Sequence, residues 1–174
     1  MHSYVKVTVR ADFCILVALS LFVFPIQWVF GWIIAAFVHE LFHLLMMLIL
    51  KVNVFSVSLR ASGTIIESNS MTSFQELLCA IAGPLGGLTI MLLKVIFPPA
   101  SVCAAVQTVY NLLPIYPLDG GRAVKCAAAC MFGDKKAEII SKVISILCFA
   151  SIYVVVIIYL LPYAFTYKNF LQCR

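Results

Sequence analysis

What this chain of 174 residues has least of is charge: Lys, Arg, Asp and Glu together make up 11% of it, where a soluble domain carries about 25%. Too few polar side chains remain to cover a water-facing surface, which excludes an ordinary soluble globule. The apolar share of 64% and the mean hydropathy of +1.09 exclude a disordered chain, which needs low hydrophobicity and high charge. Histidines number three and acids seven, so every ionisable group inside an apolar run can be considered singly. CxxC pairs are absent. The seven cysteines are an odd number and fall largely in apolar stretches, which excludes a disulfide framework and reads as small apolar side chains in a reducing or lipid setting. Cys126 and Cys130, four apart, are a minor alternative as a metal pair. A signal-peptide pattern is missing too, because the first apolar run is far longer than the ~7–15 residues of such a peptide.

What is there is hydrocarbon-like sequence in long runs. From Phe13 to Leu50, 38 residues hold only Glu40 besides two histidines. One helix of that length would be about 57 Å long, nearly twice the ~30 Å of a bilayer core, so the run must fold back. Pro25, Gln27 and Gly31 are the predicted break, giving spans at about 12–29 and 31–50. The run from Leu77 to Leu118 holds 42 residues with Lys94 as its one charge. Pro98 and Pro99 divide it into a third span ending near Phe97 and a fourth beginning near Ala100. Ile139 to Leu161, closed by Pro162, makes a fifth. The expected fold class is therefore an all-α polytopic membrane protein of about five transmembrane helices. It is a single domain over residues 1–174, and the bilayer is its first partner.

The net charge of +5 does not form the basic stripe of a nucleic-acid binder. Lys6 and Arg10 precede the first span, Lys51 and Arg60 follow the second, and Arg122, Lys125, Lys135 and Lys136 separate the fourth from the fifth. The turns at 24–31 and 98–100 are bare. The positive-inside rule then puts the N-terminus in the cytoplasm, with Lys168 and Arg174 outside. Two stretches, Tyr4 to Arg10 and Val52 to Leu59 with its continuation through Thr64 to Ile66, alternate apolar and polar residues and predict short cytoplasmic β-strands.

Near the middle of the second span stands His39-Glu40-Leu41-Phe42-His43. Positions four apart on a helix share a face, so both imidazoles can grip one ion. Glu40 stands beside them, where a carboxylate can take a proton from an activated water and pass it to a leaving amine. Histidines and a glutamate that merely hydrogen-bond between helices are the alternative. Burial in an apolar span is costly for all three, and such groups mark functional sites. A catalytic zinc ordinarily has three protein ligands, so one is missing. Asp12, Glu67, Glu76, Asp134 and Glu138 sit at span ends or in loops. Asp119 follows Asn111-Leu112-Leu113-Pro114-Ile115-Tyr116-Pro117-Leu118, whose prolines prevent a regular helix. Irregular backbone at membrane depth needs protein or a water-filled cavity around it. A plain helix end with a turn at Asp119-Gly120 is the competing reading.

Together these residues resemble the site-2 protease family of intramembrane metalloproteases. His39 to His43 match its HExxH, and Asn111 to Gly120 match its second motif, in which Asn and prolines precede Asp-Gly. Ala82-Gly83-Pro84-Leu85-Gly86-Gly87 resembles the small-residue segment of its middle core helix, and for Gly83, Gly86 and Gly87 close helix packing and a part in catalysis are equally open readings. The resemblance covers about residues 31–125. It implies a three-helix catalytic core at about 31–132, with His39, His43 and Asp119 as zinc ligands and Glu40 as general base. Asn111 is implied to polarise the scissile carbonyl or to position the unwound segment. Small size suggests the bacterial branch that includes a sporulation sigma-factor processing protease, but this chain has neither the CBS domain of that branch nor the PDZ domain of others. Regulation would then come from another membrane protein.

Depth puts a condition on this reading. His39 lies about 16 Å below the end of its span, whereas Asp119 on a straight helix from Ala100 would reach the membrane face. A shared ion requires the fourth span to break around Pro114 and to continue through Ala123 to Phe132. The expected activity is hydrolysis of a peptide bond in or near a transmembrane segment of a membrane-anchored substrate, with transcription-factor precursors and regulators among the candidates. A strand near Val57 to Ile66 would capture the unwound segment by β-addition. A membrane metal transporter or sensor, and an inactive relative that binds helices without cutting, are the rivals. An intact Glu40 and the nearly bare outer halves of the spans weigh against them.

Overall fold

The computed structural model describes residues 5–61 and 63–172, with side chains as far as Tyr159. Nine elements follow in order: β1 (Lys6–Val9), α1 (Ala11–Val23), α2 (Ile26–Ile49), β2 (Val54–Arg60), β3 (Gly63–Ser68), α3 (Ser73–Leu92), α4 (Pro98–Asn111), α5 (Asp119–Phe132) and α6 (Asp134–Gln172). The protein is a helical membrane fold with one small sheet. Three helices are long and apolar enough to cross a bilayer, namely α2, α3 and α6 as far as Tyr159. The other two expected spans take different forms. With 13 residues α1 reaches only about 20 Å, and the fourth span is the broken pair α4 and α5.

The first break is sharper than the sequence implied. Pro25 alone makes it, as the N-cap of α2, so that Gln27 and Gly31 lie inside the helix instead of between helices. Gly31 has a packing role: a Cβ there would come within 2.9 Å of the backbone of Pro99 and Ala100. The α2 and α4 backbones touch at that point. Helix α2 ends through Lys51, which has φ 55°, with Val52 N–H bonded to the Met47 carbonyl at 2.9 Å. A left-handed residue past a helix end is ordinarily glycine, and other residues adopt it at a cost of about 1–2 kcal/mol. Lys51→Gly, after its own chain-entropy cost, is expected to raise stability by about 0.5–1 kcal/mol. Denaturant unfolding in detergent measures it, and an unchanged or lower midpoint counts against it.

Helix α3 is the centre of the bundle and packs on α2, α4 and α5. Its span is 44% buried, against 6% for α6, so α3 is the core and α6 the lipid-facing flank. The sequence explains why. Cys79, Ala80, Ala82, Gly83, Pro84, Gly86 and Gly87 are all buried, and small residues let helix backbones approach where no hydrophobic drive operates between them. A capping box starts α3: Gln75 N–H donates to Thr72 Oγ1, and Thr72 N–H donates to Gln75 Oε1 at 3.0 Å. Lys94, expected inside the third span, lies exposed in the turn after Leu92. There its ammonium can reach the interface, which removes the burial cost.

Pro98 and Pro99 occupy the first helical positions of α4, where a missing N–H costs nothing. The helix stops at Asn111, residues 112–118 are irregular with a cis Tyr116-Pro117 bond, and α5 begins at Asp119. The fourth span is thus broken where the depth condition required it. Asp119 opens a helix and does not close one, which overturns the helix-end alternative; the turn lies upstream. Gly120 and Gly121 permit this fold-over, because Cβ atoms there would overlap the backbone of Leu112 and Leu113 and of Ile115 and Tyr116. The backbone of α6 continues past Pro162, where the sequence predicted an end; neighbouring groups in membrane helices tolerate such prolines. The expectations for Lys168, at the side-chain level, and for Arg174 fall outside the described residues.

The two stretches predicted as strands, with the continuation of the second, form one three-stranded sheet in the order β1-β2-β3. β1 runs parallel to β2, and β3 antiparallel to it. β3 is therefore an edge strand. The six described cysteines are free, with Cys126 buried and Cys130 exposed, and neither belongs to a metal-binding group among the described residues.

Candidate active site

Sequence spacing puts His39 and His43 on one face of α2, and the packing of α3 and α5 brings the rest to them. His39 Nε2 lies 2.9 Å from Asp119 Oδ2 and 3.2 Å from His43 Nε2, and the His43 to Asp119 separation is 3.3 Å. The residues are 3%, 6% and 8% exposed, so the meeting point is buried. Among the described residues this is the group of three or more ligand-type side chains that could hold one ion.

The donor set fits zinc. Bonds of about 2.0–2.1 Å in a tetrahedron set ligand atoms on the order of 3.3 Å apart, close to the 2.9, 3.2 and 3.3 Å found here. Tautomer chemistry agrees. His43 Nδ1 is 2.7 Å from the Cys79 carbonyl, and a carbonyl only accepts, so Nδ1 carries the proton and the Nε2 lone pair faces the trio. A lone pair aimed at a carboxylate oxygen and a second imidazole repels unless a cation or a proton lies between. The Cys79 carbonyl also orients the His43 ring, as partners of ligating histidines do. On the other side, Arg122 Nη1 lies 3.9 Å from Asp119 Oδ1 while Nη2 reaches Glu76 Oε1 at 3.4 Å. Arg122 thereby ties Asp119 to the first turn of α3. Asp119 itself sits in the first turn of α5, where the helix dipole favours a carboxylate.

Glu40 is one residue round the helix from His39 and does not join the trio. It is half-buried and lines a cavity of about 440 Å³ together with His39, His43, Asn111, Asp119 and Arg122. Glu40 and Asp119 are the carboxylates of that lining. The amide nitrogen of Asn111, at the last residue of α4, is 3.3 Å from His39 Nε2. All five residues singled out in the sequence therefore border one space. Four consecutive β3 residues, Gly63 to Ile66, line it as well. Alternate side chains of a strand face opposite ways, so a run of four marks the strand's open backbone edge. Glu40 and Thr64 also border a second, larger groove of about 840 Å³ between α2 and the apolar face of the sheet, with Val7, Leu41, Leu44 and Val57 in its walls.

Sequence reasoning missed several contributors. Gly83 carried equal weight as packing residue or site residue; in the structure a Cβ on it would lie 2.6 Å from His43 Cε1 and 2.7 Å from His39 Nε2. It is the wall against which the imidazoles stand. Arg122 was detectable, three residues after Asp119 on a helix. Thr64 falls in the strand expected to take the substrate, but its place in the cavity wall, like that of the Cys79 carbonyl beside His43, is set by packing alone.

The fold and this donor set define a helical membrane protein with a buried group of two histidines and an aspartate suited to a metal ion. No protein-family model matches the chain, and no curated protein matches it. Among solved structures, the Site-2 Protease from Methanocaldococcus jannaschii has a similar fold, with a TM-score of 0.63 and 19% identity over 82% of this chain and 77% of that one. The sequence resemblance to that family therefore extends to the fold. Nothing in the structure singles out the sporulation branch.

Proposed function

We propose that this protein is an intramembrane zinc metalloprotease of the site-2 protease family, cutting a peptide bond in or near a transmembrane segment of a membrane-anchored substrate. The observation that carries the reading is the convergence of His39, His43 and Asp119 within 3.3 Å, with Glu40 in the same cavity. His39 Nε2, His43 Nε2 and Asp119 Oδ2 would hold the ion. When bound, zinc supplies Lewis acidity, which acidifies water and polarises a carbonyl. Glu40 takes the proton of the attacking water and delivers it to the leaving amine. Asn111, beside His39, positions the substrate carbonyl or the irregular segment that follows it. Arg122 holds Asp119 in place.

A substrate helix must unwind before attack, since its carbonyls are engaged in its own hydrogen bonds. The open edge of β3 along the cavity supports capture of the unwound strand by β-addition, with main-chain bonds that suit any sequence. Lys6, Arg10, Lys51, Arg60, Lys135 and Lys136 all border the sheet, the α2–α3 connection or the α5–α6 turn, and that distribution supports a multi-pass topology with this end and the N-terminus in the cytoplasm.

Metal analysis with a cleavage assay tests the reading. The purified wild type is expected to hold one zinc per chain and, co-expressed with single-span candidates, to cut at least one of them until a chelator is added. Asp119→Ala is expected to weaken zinc binding by at least about 100-fold, since even partners one shell further out are worth 10–100-fold. Unchanged zinc content in that variant removes Asp119 from the ligands. Zinc transport into liposomes without cleavage of any candidate replaces the protease reading with a transporter.

A further inference from the structure

We infer that the protein carries a site for the headgroup phosphate of an anionic phospholipid, between α5 and α6 and apart from the histidine cavity. A pocket of about 440 Å³ lies there, lined by Tyr116, Lys125, Glu138, Ser141, Lys142 and Ser145, with Ile146 farthest along α6. It exists because α6 meets α5 through small residues: Ala137 is fully buried and Ser141 is 4% exposed. The two helices approach closely on that face, and a lysine from each stands at the rim.

Both lysines are available to an anion. Lys125 Nζ sits 5.3 Å from the centre of the Tyr116 ring and has no carboxylate within ion-pair distance among the described residues. Lys142 is paired with Glu138 at 2.7 Å, but the two side chains are 70% and 59% exposed, and exposed pairs of this kind contribute little. A phosphate can take Lys142 from Glu138 at small cost. Lys135 and Lys136, in the first turn of α6, add positive potential, and basic pockets between membrane helices take acidic headgroups.

The surroundings favour a lipid over a free anion. Beyond the pocket the same face of α6 presents exposed Ile146, Phe149 and Tyr153, spaced four, three and four residues on from Lys142, and acyl chains hanging from a seated headgroup would cover them. A free anion gains nothing from that face. The site also touches the segment that sets Asp119. Tyr116 N–H donates to Ser145 Oγ at 3.0 Å, and Ser145 Oγ in turn donates to the Ser141 carbonyl at 2.8 Å. A headgroup seated on these residues braces residues 112–118. Only this last consequence rests on the protease reading; the binding does not.

The test uses the full chain in detergent, with phosphatidylglycerol, phosphatidylcholine and inorganic phosphate as probes, and native mass spectrometry as the readout. Phosphatidylglycerol is expected to bind at least tenfold tighter than phosphatidylcholine. Each lysine near an anionic headgroup is worth about fivefold, so Lys125→Ala with Lys142→Ala should weaken phosphatidylglycerol roughly 25-fold, whereas the two Lys→Arg changes should keep it. Glu138→Gln, which removes the competing carboxylate and leaves the fold untouched, should strengthen binding a few-fold. Equal binding of the two lipids, retention by the double alanine variant, or no gain in Glu138→Gln overturns the proposal. So does inorganic phosphate that binds as tightly as the lipid, which would make this a free-anion site.

Discussion

Glu40→Gln is expected to leave zinc bound and to lower cleavage by roughly 10²- to 10⁴-fold, the usual contribution of a positioned general base. The substitution is close to isosteric and removes only the ability to accept a proton. Zinc should stay because Glu40 is outside the trio whose atoms lie within 3.3 Å of one another. The loss should be large because the cavity offers no replacement. Its other lining carboxylate is Asp119, which is engaged by both histidines, and Glu76 is held by Arg122 at 3.4 Å. The measurement is zinc content beside the cleavage rate of a co-expressed membrane substrate. Cleavage that survives with zinc in place assigns the base to another residue.

Gly83→Ala is expected to abolish both zinc binding and cleavage, although it adds one methyl group to a helix and improves helix propensity. That methyl would stand 2.6–2.7 Å from atoms of both imidazoles, well inside van der Waals contact. The rings would have to turn, and His43 would then lose its 2.7 Å bond to the Cys79 carbonyl and its aim at Asp119. Gly86→Ala is the matched control, three residues further along the same helix. Its methyl meets the Phe42 side chain at 2.8–3.0 Å, and an aromatic ring on the α2 surface can shift where a ligand pair cannot. Zinc titration of the two variants should separate them by at least tenfold in affinity. Equal loss in both would mean that helix spacing, not contact with the ligands, is what Gly83 protects.

How much of this was readable in advance depends on whether a residue's role is local. His39 and His43 are four apart in one helix, so their shared face follows from helical geometry alone. The break at 112–118 was also readable, since Pro114 and Pro117 deny a helix its donors and the depths of His39 and Asp119 cannot otherwise match. Asp119 was harder. The same Asp-Gly-Gly serves a turn or a helix start, and Gly120 and Gly121 reveal their use only when the backbone of residues 112–116 is seen lying against them. Gly31 misled for the same reason: a glycine in an apolar run reads as a break, yet here it is the point where α2 and α4 touch. The contacts of Gly83 with the imidazoles, of Thr64 with the cavity and of the Cys79 carbonyl with His43 join elements remote in sequence, and no spacing rule reaches them.

The scarcity of charge therefore determined where the protein resides and, with two histidines and one acid in the second span, which residues could do chemistry there. Hydropathy and helical period are properties of single segments, so a chain states them without being folded. Whether three ligand atoms stand 3 Å apart, whether a strand edge opens onto them, and whether a lysine on α5 faces one on α6 are relations between segments. Those were settled by small residues on α3 and α6 and by the fold-over at Gly120 and Gly121, which let backbones approach closely enough for short side chains to meet.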